Sequence, residues 1–148
     1  MASAPTPGYE PFRPRFARWV SLGVMWLVVV GTVVVVLLSR NLARGDQVGF
    51  VAFGALVAWF CWREASVSAK PDDEGLTVRN LVVTTRLQWA EVVAVRFGDG
   101  NAWVQLDIAN GDTLAVMGIQ RADKDFAQDE ARRLATLVAE HSRTERDT

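Results

Sequence analysis

The sequence predicts an α+β membrane protein: a two-helix transmembrane hairpin, then a small antiparallel β-domain of about six strands with one C-terminal amphipathic helix. Three observations carry this. Trp19 to Ser39 is an uncharged run of 21 residues, followed after a short polar connection by a second uncharged run of 16, Gln47 to Trp62. From Ser66 the apolar residues change to period two between turn signals. From Asp123 to Ser142 they return to helical spacing.

Composition narrows the function before any motif does. The 148 residues suit one compact unit, two at most. Sixteen basic and seventeen acidic side chains leave a net charge of −1, so no charge excess points to nucleic acid. Fourteen of the basic residues are Arg and two are Lys, a bias that reads as a GC-rich genome rather than a binding surface. One Cys and one His exclude a disulfide framework and a Cys/His zinc cage. They also leave little for nucleophilic catalysis, which usually pairs a Ser or Cys with a His base.

The elements follow in order. Four of the five prolines lie within the first fourteen residues, with no hydrophobic period, so residues 1–15 read as a disordered tail. The hairpin is placed at 16–64, with helices at about 17–39 and 47–63. Twenty-one residues at about 1.5 Å each span roughly 31 Å, the thickness of a bilayer's hydrocarbon core. The run is too long for a signal h-region and lacks a small-x-small cleavage site. The second run, at roughly 24 Å, is short, and a re-entrant or interfacial segment is its alternative. Trp59 and Trp62 end it and Trp19 begins the first run, so a hairpin sets Trp19 and Trp62 at one membrane–water interface. Gly54 and Ala58, at i and i+4, either let the helices approach closely or are merely tolerated small residues. Arg13, Arg15, Arg18 and Arg63, with Lys70, outnumber Arg40 and Arg44 of the connection, which places both termini in the cytoplasm. Arg13, Arg15, Arg18, Trp19, Trp59, Trp62 and Arg63 are therefore the candidate membrane-interface residues.

The β-domain is placed at 65–142, with a tail at 143–148. Strands are expected around Val67–Lys70, Leu76–Arg79, Val82–Leu87, Val92–Phe97, Trp103–Ile108 and Leu114–Met117. Pro71 to Gly75 supplies one turn, and Asn110-Gly111 is a strong hairpin signal. Asp123 is the expected N-cap of the last helix, with Ala127, Ala131, Leu134 and Val138 on its apolar face. Glu130 falls inside that arc, which leaves it unexplained. Arg133 falls outside it, so Arg133→Asp is expected to be harmless where Leu134→Asp unfolds the domain. Residues 65–148 are expected to fold when cut from the hairpin.

This ordered series resembles the bacterial pleckstrin-homology (PH) domain membrane proteins, of the low molecular weight protein antigen 6 type. Its carriers are the stretch Asp73 to Asn80, then Leu87 to Val92, the hairpin Asn110-Gly111-Asp112, and the run Val116 to Asp123 into the helix. The resemblance implies a PH-like fold and a membrane location, but no settled activity. Together with the hairpin and its basic flanks, the expected location is the bacterial inner membrane, multi-pass, with both termini cytoplasmic.

Each remaining constellation has a plainer reading. Asp72-Asp73-Glu74 reads as a solvated turn, since an EF-hand needs alternating acids and a Glu at the twelfth position. Phosphoinositide-binding PH domains use a basic first hairpin loop, because phosphates need several converging cations. Here that loop is acidic between Lys70 and Arg79. His141 reads as a partly packed or frayed residue, and Trp89 and Trp103 as core or half-buried, with an aromatic ligand cage as their alternative. No catalytic, cofactor-binding or metal-ligating residue is assigned, and no cofactor is expected. The expected function is a non-enzymatic, membrane-anchored cytoplasmic binding or scaffold module. Its expected partners are the lipid bilayer and another membrane protein or peptide, not nucleic acid. The alternative is a lipid-headgroup-sensing domain at the inner membrane surface.

Overall fold

A computed structural model describes residues 8–39 and 43–144. Expectations for residues 1–7, for Arg40 and for 145–148 lie outside these. The chain divides into two compact units, one of residues 16–66 and one formed by the segments on both sides of it.

In the first unit, α1 spans Phe16–Leu38 and α2 spans Arg44–Ala65. The second helix is longer than the expected 47–63. It starts in the polar connection, where Asp46 favours the positive end of the helix dipole. At its end the Ser66 hydroxyl donates to the Arg63 carbonyl (2.7 Å). The helices pack on each other at Gly54, where an added Cβ would overlap the Thr32 hydroxyl. Of the two readings of Gly54 the close approach therefore holds. An apolar cleft of about 370 Å³ beside it is lined by Val29, Val33, Val51 and Ala58 among others. No residue of α1 is buried, and in α2 only Gly54 and Cys61 are. Both helices are long and apolar enough to cross a membrane.

The second unit carries the six strands. Ser68–Pro71 (β1), Gly75–Arg79 (β2) and Thr84–Gln88 (β3) form one antiparallel sheet in sequence order. Val92–Arg96 (β4), Trp103–Ile108 (β5) and Thr113–Gln120 (β6) form the other. The helix α3, Asp125–Thr144, packs against β4, β6 and a 3₁₀ turn at Trp89–Glu91. Leu76, Val78, Leu87, Trp89, Val104, Leu106, Val116 and Ile119 face Ala127, Ala131, Leu134, Leu137 and Val138 in one core. Gly111 turns the β5–β6 hairpin at φ 94°, a conformation that suits glycine.

Three sequence readings need correction. Val82 and Val83 do not begin a strand; they sit in the β2–β3 turn, closed by the Asn80 amide donating to the Val83 carbonyl (3.0 Å). Asp123 is not the helix cap, because Lys124, at φ 52°, breaks the chain between a 3₁₀ turn at Arg121–Asp123 and α3. The Asp123 carboxylate instead accepts the Arg15 amide (2.9 Å).

The largest correction concerns residues 8–15, read as part of a disordered tail. Phe12 is fully buried in the core and Pro14 is buried beside it. The Phe12 amide donates to the Ala69 carbonyl (2.8 Å), and the Ala69 amide donates back to Phe12 (3.0 Å), a one-residue antiparallel pair on β1. On β6, a Cβ at Gly118 would crowd the Phe12 carbonyl and the Ala69 amide, so glycine lets three backbones meet there. The domain expected at 65–142 thus takes in this segment, and its helix continues to Thr144. Prolines keep the segment extended without giving it a period, which is why a pattern search passes over it.

Candidate functional site

Four strands lie at sheet edges: β1 and β3 in one sheet, β4 and β6 in the other. An open edge presents unpaired amides and carbonyls that recruit other chains. The Phe12 pairing covers part of β1. On β6, the Asn80 side chain does the same, its Nδ2 donating to Ala115 O (2.7 Å) and its Oδ1 accepting the Met117 amide (3.1 Å). That leaves β3 and β4. Beside α3, β4 has a register irregularity between Val92 and Ala94, and Val93 there is 65 % exposed.

Arg133 clamps the stretch around Phe12, in the segment before α1. The Arg133 guanidinium grips the Glu130 carboxylate through Nε and Nη2 (3.2 and 2.8 Å). Its Nη1 donates to Glu10 O (3.1 Å), and the plane lies 3.9 Å over the Phe12 ring centroid. Glu130, unexplained by its helical position, is there to pair with Arg133. Arg133 is correspondingly not the indifferent surface residue that helical spacing suggests.

Next to this clamp, His141 stacks on Trp89 with centroids 4.6 Å apart. Its Nδ1 donates to Leu137 O (2.8 Å), and its Nε2 lies 3.0 Å from the Tyr9 hydroxyl. Burial, then the neighbouring Asp73 carboxylate, pushes the Tyr9 phenol above its ordinary pKa. His141 is therefore packed, and Trp89 is a buried core residue whose Nε1 donates to Asp72 O (2.9 Å). Trp103 is 37 % exposed.

The acidic turn between β1 and β2 is held from within. Asp72 accepts the amides of Glu74 and Gly75 (3.0 and 2.9 Å). Arg86 of β3 grips Asp72 with both terminal nitrogens (2.8 and 3.1 Å) and reaches Glu74 at 3.1 Å. The Arg86 guanidinium, helped by the two amides, holds the Asp72 carboxyl below its usual range. Sequence reading missed Arg86. Its signal was register: the hairpin sets Arg86 opposite Thr77, two places from the turn. With Arg86 engaged by carboxylates, the loop offers no cluster of cations to a phosphate.

The candidate interface residues fall in both units. Arg13 is exposed, and Arg15 lies 3.7 Å over the Phe126 ring centroid, both on the β-domain. Arg18 and Trp19 stand exposed in the first turn of α1, and Trp59 and Trp62 stand exposed near the end of α2, with Arg63 half-buried. Among the described residues no group of three or more His, Cys, Asp or Glu side chains is placed to hold a metal ion.

Comparison with known proteins is consistent with this architecture. Residues 68–136 match the family model described as a bacterial PH domain. Uncharacterised proteins of Mycobacterium bovis and Mycobacterium tuberculosis are 31 % identical to the chain over 133 residues, covering 86 % of each partner in the comparison. No solved structure matches the chain.

Proposed function

Because the chain belongs to the bacterial PH domain family, we propose that it is a non-catalytic, membrane-anchored cytoplasmic binding or scaffold module that recognises an extended segment of another membrane protein. The anchoring reading rests on α1, an apolar helix of 23 residues none of which is buried. Water would charge roughly 25 cal/mol for each Å² of such surface, and lipid would not. Connectivity supports a hairpin with both ends on one face. Phe12 and Ala69 are hydrogen-bonded to each other. Each is four residues from a helix end, so at most about 14 Å of chain leads from the bridge to either helix. The basic flanks then favour the cytoplasm for that face.

Recognition rests on the sheet edges. Residue Phe12 already pairs on β1 as an extended partner would. With the β6 edge capped by Asn80, the β4 edge beside α3 is the place for a second segment, by strand addition. A headgroup-sensing reading has weaker support, since the first hairpin loop is acidic and Arg86 is spent within it. The test is a photo-crosslinking residue at Val93 in the full chain, irradiated in native membranes. A discrete adduct at Val93 but not at Asp112, in the β5–β6 turn, is expected. Equal yields at the two positions would refute recognition at the β4 edge.

A further inference from the structure

The β2–β3 turn presents Val82 and Val83 at 80 % and 61 % exposure, while its conformation is held firmly. The Asn80 amide closes the turn on Val83 O, and the Asn80 side chain is tied to two backbone groups of β6. Single exposed apolar residues need no explanation, but these two are adjacent and stand on a turn whose conformation is fixed, so they form one small apolar tip. Register locates it. Ser68 pairs with Arg79, so the turn leaves the sheet at the end where β1 begins, three residues after the last residue of α2. The opposite end, where Pro71 pairs with Leu76, carries Asp72, Asp73 and Glu74. This sheet therefore carries Val82 and Val83 at the end where the chain arrives from the hairpin, and its acidic turn at the far end.

We propose that the Val82-Val83 tip dips into the lipid interface and fixes the orientation of the β-domain on the membrane surface. The occupant of this surface is lipid rather than protein, because the chain itself delivers this end of the sheet to the bilayer, and the acidic end is the one that anionic headgroups would repel. Two valines on one side of a tethered domain need supply only orientation, since the helices already supply attachment. The inference rests on the membrane-hairpin reading above.

The test uses the full chain with Cys61→Ala, reconstituted in phosphatidylethanolamine–phosphatidylglycerol vesicles, with a polarity-sensitive dye on a single introduced cysteine. Val82→Cys is compared with Asp73→Cys at the acidic end and with Val30→Cys in the middle of α1. Lipids spin-labelled high on the acyl chain should quench the dye at Val82 at least about twofold more than at Asp73, as for side chains held near the headgroup–acyl boundary. Quenching at Val30 with none at Val82, and iodide reaching Val82 from water, would overturn the orientation proposal alone. No quenching at Val30 by lipids spin-labelled near the acyl-chain end would overturn the hairpin and this proposal together. A Val82 dye shielded from both quenchers would mean a protein covers the tip, and would overturn the assignment to lipid.

Discussion

Phe12→Ala should cost the β-domain about 3–5 kcal/mol, the usual penalty for removing a buried aromatic ring. The ring is fully buried in the shared core, so the whole transfer and cavity terms apply. Its loss also strips the Arg133 guanidinium of its aromatic floor, a further ~0.5–1 kcal/mol for a cation–π contact that is partly open to water. Against a total of about 5–15 kcal/mol for an ordinary domain, this is a large share. At about 4–8 °C per kcal/mol for a domain of this size, the combined cost of about 3.5–6 kcal/mol should lower Tm by roughly 14–48 °C. The assay is thermal loss of the near-ultraviolet circular dichroism of the full chain in detergent micelles, with Val82→Ala as the exposed control. A fall of less than about 4 °C, equivalent to under 1 kcal/mol, would show that residues 8–15 do not belong to the core.

The same melt distinguishes neighbouring positions on α3. Leu134→Asp buries an unpaired carboxylate and should cost several kcal/mol, abolishing the cooperative transition. Arg133→Asp should cost about 1–3 kcal/mol, because it leaves Glu130 without its partner and releases the Glu10 carbonyl; an unchanged Tm would contradict the clamp. The pair Asp72–Arg86 should show in acid. Asp72 has a folded-state pKa below its unfolded value, so its contribution is complete above about pH 4 and is lost as pH falls through the folded value. Asp72→Asn should flatten that part of the stability profile, and an unaltered acid limb would exclude the pair as a source of stability.

What the sequence made legible is what repeats. Uncharged runs of 21 and 16 residues announce two helices, and turn chemistry at Pro71–Gly75 and Asn110-Gly111 announces strands between them. A contact made once has no period to read. Phe12 lies among prolines and enters the core through a single pair with Ala69. Arg133 is outside the apolar arc of its helix, yet its guanidinium reaches Phe12 and Glu10, more than a hundred residues away in sequence. Likewise no local pattern says that Asn80 caps β6, and that contact decides which sheet edges stay open. The loss of the isolated 65–148 fragment as a complete domain follows from the same cause, since its core lacks Phe12.

The membrane-anchored arrangement is tested most directly by labelling intact cells with an impermeant maleimide, in the Cys61→Ala background. Ala43→Cys, in the connection between the helices, should be labelled from outside. Asp112→Cys, on the β-domain, should be labelled only after the membrane is permeabilised. Labelling of Asp112→Cys in intact cells, or protection of Ala43→Cys, would contradict a hairpin that holds this domain on the cytoplasmic face.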